Sequence, residues 1–482
     1  MNSTLKKTYL SRTGILVSIF FLTFILFFMT AFFQRWHWST FDDFLTLRGR
    51  RTPPREIIMV VIDDTSLSSI GYPWPWPRKV FARALENLYA SHPKTVALDF
   101  IFSGETSKEE DKSLSLVFKK LASSSSLVLG IGFLESFDRE SLSGNEWLLF
   151  ENKQELPLPQ FEGTLGFINI PIESDDSIRR TLPLIKKEEK SYLSFALAAA
   201  LAYSGIAASN LVYHPRKNLD TGKGYSFSLD DSDSFLIDFI GPPGTFRKIS
   251  FHQLFQGNFD KEIFRDKLVL IGPTFVLSRD FHFTPFADFK GLEQRMPGIE
   301  IHAAIIENIL YGRHYKSTPS PILFIFVLFS LFLISGCYLF SQLYPKRFLL
   351  VGLFLLITFG LNLILFFHAR YFFASWPVFF FLILYAPLLE LVFISIQNRS
   401  LQNLLKEKPL NMPDPTAFFK KFDISKREQE IIYLLVQGMT NEEIGKKLFI
   451  SLSTVKKHVY NIYQKTHIKN KVELMNLMQG LS

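Results

Sequence analysis

The sequence has little of what a disulfide-stabilised, metal-binding or catalytic protein needs. Its only cysteine, Cys337, lies inside an apolar run, so a disulfide within the chain and a cysteine-rich metal site are both excluded. His252, His282 and His302 are scattered without metal-ligand spacing, and we expect structural roles for them. A Gly-x-Ser-x-Gly motif is missing, and GPPGT lacks the lysine of a phosphate-binding loop. We therefore expect no catalytic residue, no cofactor and no metal: this chain is not predicted to be an enzyme.

Apolar residues are abundant instead. They make up 48% of the 482 positions, while 20% of the residues are charged, so the apolar material must be segregated into blocks. This pattern is typical of an integral membrane protein with soluble domains. The net charge of +8 is compatible with binding to a nucleic acid or to an anionic membrane surface, and it does not distinguish between the two.

Four apolar runs are long enough to cross a hydrocarbon core of ~30 Å at ~1.5 Å per residue. Lys6, Lys7 and Arg12 precede the first run, whose length favours an uncleaved anchor over a cleaved signal peptide. Residues 1–13 are then a cytoplasmic N-terminus. The predicted transmembrane helices are 14–33, 322–340, 348–367 and 372–396.

Flanking charges and the number of spans predict the topology. Lys346, Arg347 and Arg399 favour cytoplasmic positions for the ends they flank, whereas Arg370 is contrary evidence. Three spans separate residues 34–318 from the C-terminal segment, so the two lie on opposite sides of the membrane. Glu390 stands out as an acid in an apolar run, where an ionisable group is a candidate for a signalling role; we favour the alternative that it reaches water near the predicted cytoplasmic end.

The C-terminal segment is predicted to consist of a linker, 397–422, followed by a small helical domain, 423–482. Ser425 and Glu428 form a capping box that opens a first helix, and Gly438 ends it. Thr440 and Glu443 form a second capping box, which opens a short helix.

A third helix, from about Leu452 to Thr466, has two faces. We expect its apolar face to pack in the core, while the opposite face can reach base edges and phosphates in a major groove. The core face comprises Leu452, Val455, Val459 and Ile462, and the opposite face Ser453, Lys456, Lys457, Tyr460 and Gln464. In a fourth helix from about Asn470, the residues Val472, Leu474, Leu477 and Met478 exceed the needs of one small core, which suggests a homodimer contact.

These residues, with the segments TNEEIGKKLFIS and STVKKHVYNIYQK, resemble the LuxR-type (GerE) helix-turn-helix family over roughly residues 423–480. The resemblance implies binding of double-stranded DNA as a dimer, with Lys456, Lys457 and Tyr460 near bases and Thr454 and His458 near the DNA backbone. The chain departs from the family at Thr466-His467, usually Leu-Gly, and at Lys471, usually Arg, which bears on the dimer geometry. The expected DNA-binding residues are Lys446, Lys447, Ser453, Thr454, Lys456, Lys457, His458, Tyr460 and Asn461.

The charge of this segment supports the same expectation. Residues 423–482 hold nine Lys or Arg against six Asp or Glu, a net charge of +3. Lys446, Lys447, Lys456 and Lys457 concentrate that excess near the third helix.

Residues 34–318 alternate short β-branched runs with helical stretches, which predicts an α/β fold with a central sheet covered by helices. The predicted strands are 56–62, 95–102, 126–133, 235–240 and 267–272, and the predicted helices are 78–90, 192–202 and 298–312.

The fragments VVIDDTSL, GYPWPWPR, VALDFIF, GFINIPIESDDSIRR, KLVLIGPT and MPGIEIHAAIIENIL resemble the second type of CHASE domain. The resemblance implies an extracytoplasmic sensory module followed by three transmembrane helices, and it supplies no ligand. Trp74 to Arg78 fit either a rigid aromatic surface or buried scaffold. Asp63-Asp64 is similar to the acidic pair of receiver domains, but a receiver would lie in the cytoplasm next to the helix-turn-helix.

We therefore expect a multi-domain membrane protein with an α/β extracytoplasmic sensor domain, four transmembrane helices and an all-α helix-turn-helix C-terminal domain. Its expected function is that of a membrane-anchored, one-component transcription regulator in the bacterial cytoplasmic membrane, with its C-terminus in the cytoplasm. Expected partners are double-stranded DNA, the membrane, a second copy in a homodimer and an unknown extracytoplasmic ligand or stimulus. The alternative is a membrane protein whose tail docks a cytoplasmic protein, or tethers DNA without regulating transcription.

Overall fold

The chain divides into two compact units in a computed structural model, which describes residues 3–102, 106–135, 150–154, 163–187, 190–222, 226–287, 294–340, 344–373, 375–406 and 415–478. One unit comprises residues 1–30, 324–358 and 377–482, and the other comprises residues 31–323 and 359–376. Residues 407–414 of the predicted linker, which include Pro409 and Pro413, lie outside the described ranges.

Helices in the described ranges fall into long apolar ones, helices of the α/β region and the short helices of the tail. In chain order they are α1 (Ser3–Phe28), α2 (Ala31–Arg48), α3 (Asp64–Ser69), α4 (Arg78–Tyr89), α5 (Lys108–Ser124), α6 (Phe195–Ser204), α7 (Phe251–Gln256), α8 (Gly298–Tyr311), α9 (Ser320–Phe340), α10 (Tyr344–Ala369), α11 (Ser375–Lys406), α12 (Thr416–Lys421), α13 (Lys426–Val436), α14 (Asn441–Leu448), α15 (Leu452–Thr466) and α16 (Lys471–Met478).

Strands occur in one large sheet and several small ones. They are β1 (Ile57–Ile62), β2 (Thr95–Leu98), β3 (Ser126–Ile131), β4 (Phe133–Glu135), β5 (Phe150–Gln154), β6 (Thr164–Phe167), β7 (Arg180–Thr181), β8 (Leu184–Lys187), β9 (Lys190–Leu193), β10 (Val212–His214), β11 (Asn218–Asp220), β12 (Ser226–Ser228), β13 (Phe235–Ile237), β14 (Lys248–Ser250), β15 (Leu268–Pro273), β16 (Phe281–His282), β17 (Met296–Pro297), β18 (His314–Ser317) and β19 (Tyr371–Phe372).

The large sheet is parallel and has the strand order β14-β1-β15-β2-β3-β6. Both of its faces are buried, because every residue of β1 is apolar and successive side chains point to opposite faces. Ile57, Met59 and Val61 share one apolar core with residues of α6 and α8. Ile58 and Val60 belong to a second core with residues of α4, α5 and α7. The structure thus has a parallel sheet between two layers of helices.

A smaller sheet with the order β19-β18-β13-β7 lies beside this core. The predicted strand 235–240 belongs here as the shorter β13, not in the large sheet, because it pairs antiparallel with β18 and β7. A short apolar run predicts a buried strand without specifying its partner. The outermost strand, β19, lies between the third and fourth long apolar helices and pairs parallel with β18, Lys316 opposite Tyr371 and Ser317 opposite Phe372.

Four helices in the described ranges are long and apolar enough to cross a membrane, over Ser11–Phe28, Pro321–Tyr338, Arg347–Ala369 and Val378–Asn398. Several ends differ from the predicted spans, and the fourth helix runs to Lys406, through residues 397–406 of the predicted linker. The first helix stops at Phe28, not at residue 33, and α2 begins at Ala31 after a bend. The fourth begins at Ser375, not at residue 372, because Phe372 belongs to β19.

Glu390 does not reach water as expected. Its side chain is 7% exposed and lies 3.3 Å from Nη1 of Arg347, itself 4% exposed. Arg347 also lies 3.9 Å from the centre of the Phe393 ring, in cation–π geometry. The acid therefore belongs to a buried ion pair that joins α10 to α11.

Candidate DNA-binding surface

The two capping boxes predicted in the tail are present. The Ser425 hydroxyl accepts the backbone N–H of Glu428, whose carboxylate accepts the backbone N–H of Ser425. Thr440 and Glu443 repeat this exchange at the start of α14. Between the helices, Gly438 has a φ of 92°, a left-handed conformation that costs glycine little. The sequence thus specifies where α13 and α14 begin and where the chain turns.

Close packing of α14 against α15 depends on Gly445. A Cβ placed there would lie 3.0 Å from the backbone oxygen of Ile450 and 3.6 Å from Cγ2 of Val455. Phe449 ends α14 with a φ of 56°, and Ser451 then caps α15 by accepting the backbone N–H of Thr454. The turn between these helices is therefore short and tightly held.

The third helix of the predicted motif, α15, has the expected bounds and two distinct faces. Val455, Val459 and Ile462 are buried among residues of α13, α14 and α16. Leu452 was expected in that core but is 37% exposed, because it opens the helix before the chain reaches the core. The predicted opposite face is exposed: Ser453, Lys456, Lys457, Tyr460 and Gln464.

The nine expected DNA-binding residues occupy two places. None of the nine side chains is buried in the core of this domain, and Tyr460 is 63% exposed. Seven lie on α15 and two in the last turn of α14: Ser453, Thr454, Lys456, Lys457, His458, Tyr460 and Asn461, with Lys446 and Lys447.

At the start of α15, hydroxyl groups gather around the cap. The Ser451 oxygen lies 2.7 Å from the hydroxyls of both Ser453 and Thr454. A helix N-terminus carries partial positive charge and free N–H groups, which favour a phosphate. Together with Lys456 and Lys457, this end of α15 presents donors and positive charge on one exposed surface.

Two contacts that sequence reasoning missed hold this surface in place. Lys465 lies 2.7 Å from the buried carboxylate of Glu428 and donates to the backbone oxygen of Asp423, so it ties α15 to α13. Arg427 donates to the backbone oxygen of Leu448 and ties α13 to the end of α14. The capping-box acid thus also pairs with a lysine 37 residues away, a contact that spacing along one helix does not indicate.

The departure at Thr466-His467 does not disrupt the turn. His467 has a φ of 57°, the left-handed conformation in which the family has glycine, and its N–H closes the end of α15. Lys471 donates to the backbone oxygen of Met439 at 3.3 Å. Leu474 and Met478 on the following α16 are buried in the domain's own core, whereas Val472 is 66% exposed.

Sequence profiles of known families match two parts of the chain. The profile of the CHASE2 domain matches residues 18–337, about two thirds of the chain. The chain belongs to the CHASE2 domain family. The profile of bacterial regulatory proteins of the luxR family matches residues 423–478, so the tail is a LuxR-type helix-turn-helix domain.

Curated relatives match this CHASE2 protein over its C-terminal domain. Transcriptional regulatory protein LiaR of Bacillus subtilis is 44% identical over 50 residues, 10% of this chain and 24% of LiaR. Oxygen regulatory protein NreC of Staphylococcus carnosus is 48% identical over 52 residues, 11% of this chain and 24% of NreC. HTH-type transcriptional regulator MalT of Vibrio campbellii is 32% identical over 75 residues, 16% of this chain and 8% of MalT. The chain thus spans a quarter or less of these relatives, and no solved structure matches it.

Two motifs in the CHASE2 region have local explanations. Asp63 caps α3: its carboxylate accepts the N–H of Ser66 and the hydroxyls of Ser66 and Ser250. Burial alone would raise the pKa of Asp63, but these hydrogen bonds lower it. In the aromatic segment, Trp76 is buried at 5% exposure and Trp74 is 39% exposed. The segment thus lies partly in the core, through Trp76, and partly on the surface, through Trp74.

Proposed function

We propose that this protein is a membrane-anchored, one-component transcription regulator whose LuxR-type domain binds double-stranded DNA under the control of its extracytoplasmic CHASE2 domain. The observation that carries the proposal is the division of α15 into a buried face and an exposed basic face. A helix that is packed on one side and displays Lys456, Lys457 and Tyr460 on the other can enter a major groove without unfolding. We assign the chain no catalytic role.

The topology we propose has residues 34–318 outside the cytoplasm and the tail inside. Lys346 and Arg399 support cytoplasmic positions for the ends that they flank. Arg370 would lie on the outer side in this arrangement, and the carboxylate of Asp238, 3.3 Å from its guanidinium, offsets its positive charge there.

Strand β19 offers a route for the signal. It lies between α10 and α11, and it is bound to the sensor region by backbone hydrogen bonds from Lys316 to Arg370 and from Thr318 to Phe372. Phe372 is fully buried beside Trp38 and Phe41 of α2. A shift of β18 in response to a stimulus would therefore move the ends of two apolar helices directly.

A homodimer would give the signal its effect on DNA affinity. Val472 is exposed on α16 and available to a second copy. Two tails held close by their anchors reach an effective concentration in the mM range for a short flexible linker. Changing the separation of the tails then changes the DNA affinity of the pair without any change within either domain.

Sequence-selective DNA binding by the full chain in lipid nanodiscs tests this proposal. Selection from a randomised duplex library should enrich a site that the wild-type protein prefers, and Lys457→Ala should reduce binding to that site. Lys469→Ala is the matched control, since it removes an exposed lysine from the turn before α16 and should leave binding unchanged. A library from which no site is enriched would contradict the proposal and favour a tail that docks a protein or tethers DNA non-specifically.

A further inference from the structure

The turn between α14 and α15 contacts α11. The ring of Phe449, which ends α14, lies edge-on to the ring of Phe393 in α11, with 6.4 Å between the ring centres and 74° between the ring planes. Both side chains are partly buried. Edge-to-face pairs of aromatic rings attract each other and also remove apolar surface from water. The contact therefore favours an arrangement in which the LuxR-type domain is docked on α11.

Phe449 lies within the candidate DNA-binding surface. It directly follows the last turn of α14, which holds Lys446 and Lys447, and it precedes Ser453 at the start of α15. At no more than ~3.6 Å per residue, all three of these residues lie within ~15 Å of Phe449. A DNA duplex whose major groove alone is ~12 Å wide needs the space around them. A helix docked on Phe449 therefore competes with the duplex for the same space.

The position of Phe393 along α11 adds a second obstacle to DNA. The apolar segment of α11 ends at Asn398. Phe393 precedes this end by five residues, which is ~7 Å along a helix. In the proposed topology, docking on Phe393 therefore holds the turn between α14 and α15 at the level of the membrane surface. Anionic lipid headgroups at that surface repel a duplex that carries one negative charge per ~1.7 Å.

Three of the long apolar helices fix the position of Phe393. The guanidinium of Arg347 in α10 lies 3.9 Å from the centre of the Phe393 ring and is paired with Glu390, three residues earlier in α11. It also lies 5.3 Å from the centre of the Tyr338 ring in α9, whose hydroxyl donates to the backbone oxygen of Ala386 in α11. A shift of α10 against α11 therefore displaces the ring on which the LuxR-type domain is docked.

The same two helices lead to the sensor region. The turn at their other end holds β19, which is paired with β18. A change at β18 thus acts on α10 and α11 at one end, while the LuxR-type domain is docked near the other. We propose that docking of Phe449 on Phe393 holds the LuxR-type domain in an autoinhibited state, which the sensor region ends by moving α10 against α11. This inference deepens the proposed function and rests on it.

A reversible cross-link tests whether the contact inhibits DNA binding. Cys337→Ser removes the only cysteine of the chain, and Phe393→Cys with Phe449→Cys then supplies two thiols for a short bifunctional methanethiosulfonate. The full chain in nanodiscs should become linked at the mass of one chain. The linked protein should bind the duplex preferred by the wild type at least ~10-fold more weakly than the same sample after reduction with dithiothreitol. Recovery of binding on reduction also shows that the variant folds.

A matched pair of cysteines locates the docked surface of the domain. Phe393→Cys with Val472→Cys places the second thiol on α16, where Val472 is exposed but lies outside the turn that contacts α11. This pair should link poorly under the same conditions. Equal linking of both pairs would mean that the domain has no preferred orientation on α11, and it would overturn the proposal.

A point variant tests the contact without a cross-link. Phe393→Ala removes the ring from α11 and should raise the DNA affinity of the full chain by ~3- to 10-fold, because a larger fraction of the protein is then undocked and able to bind. Ile394→Ala is the matched control. It shortens the exposed neighbouring side chain and should leave the affinity unchanged.

The DNA affinities separate this proposal from the proposed function. If the wild type selects a DNA site, but the linked and reduced forms bind it equally or Phe393→Ala does not bind it more tightly, the autoinhibitory contact is refuted and the regulator remains. If neither the wild type, nor Phe393→Ala, nor the reduced form selects any DNA, the proposed function is refuted, and the inhibition that rests on it is refuted as well.

Discussion

Arg370, in the turn between α10 and α11, lies 3.3 Å from the carboxylate of Asp238, which follows β13. The same carboxylate contacts Arg48 at the end of α2 and lies 3.2 Å from Arg51. One buried acid therefore holds three arginines from different parts of the chain. It joins the segment after the first apolar helix to the turn between the last two.

Asp238→Asn should destabilise the CHASE2 region by about 3–5 kcal/mol, because it leaves the largely buried Arg48 without its salt-bridge partner and removes one partner from Arg51 and Arg370. Burial already lowers the pKa of Arg48 to about 10. Arg370→Gln is the matched change at the other end of the pair. Since the Arg370 side chain is 42% exposed, the loss of stability in Arg370→Gln should stay below about 1 kcal/mol. Urea unfolding followed by tryptophan fluorescence compares the two, and equal losses would show that Asp238 is not the centre of this cluster.

Residues on the exposed face of α15 should determine DNA sequence preference. Lys457→Ala or Tyr460→Ala should cost about 1–3 kcal/mol on the preferred site and relax preference at one or two base pairs, if these side chains contact base edges. Val459→Asp is the structural control, because it places an unpaired charge in the core and should unfold the domain. Binding to a site library measures the effect. If the affinities of these variants for specific and for non-specific DNA fall by the same factor, α15 does not lie in the groove.

Lysines at the end of α14 should act differently. Lys446→Ala or Lys447→Ala should weaken binding to all sequences alike and make the dependence of log affinity on log salt shallower by about one unit for each lost phosphate contact. Affinities for specific and random duplexes at several salt concentrations measure this slope. An unchanged slope would mean that neither lysine contacts a phosphate.

His314 should make the CHASE2 region sensitive to acid. Its Nε2 accepts the backbone N–H of Ser228, and burial, with the charges of Lys316 and Arg370, lowers its pKa to about 4 from 6.5. The unfolded chain then binds more protons between these values, so stability is present above pH 6.5 and is lost as the pH falls toward 4, by about 3 kcal/mol in total. His314→Asn should reduce this pH dependence of stability by that amount, whereas His92→Asn, at an exposed position, should leave it unchanged. Urea unfolding across this pH range provides the comparison.

Reporter fusions should place residue 200 outside the cytoplasm and residue 415 inside. The expected result follows from three apolar helices of sufficient length between the two positions. Enzymatic reporters that are active on only one side of the membrane distinguish the outcomes. Both positions on the same side would mean that one of the last three helices does not cross.

Local patterns predicted the tail well because its signals are local. Capping boxes, a glycine turn and helical spacing of apolar residues each act within four residues, and the structure confirms the bounds of α15. The one misplaced core residue, Leu452, is at a helix end, where periodicity does not decide burial. Whether the exposed residues contact DNA stays a prediction.

Pairing between distant segments could not be predicted from such patterns. The two-residue strand β19 adjoins an apolar helix, so the sequence pattern assigns its second residue, Phe372, to the span that follows. The cluster around Asp238 joins residues 190 positions apart. The sequence of a single apolar strand also does not indicate to which sheet the strand belongs.

Strand β19 also constrains the order in which the protein can be assembled. It pairs beside β18 in parallel, and the chain between the two strands consists of α9 and α10. In the proposed topology, the last strand of the small sheet therefore leaves the ribosome after two further spans and reaches its place only once both have been inserted. The sensor cannot be completed during its own translocation, and a chain truncated before residue 371 would expose the edge of β18 and the apolar surface that Phe372 covers.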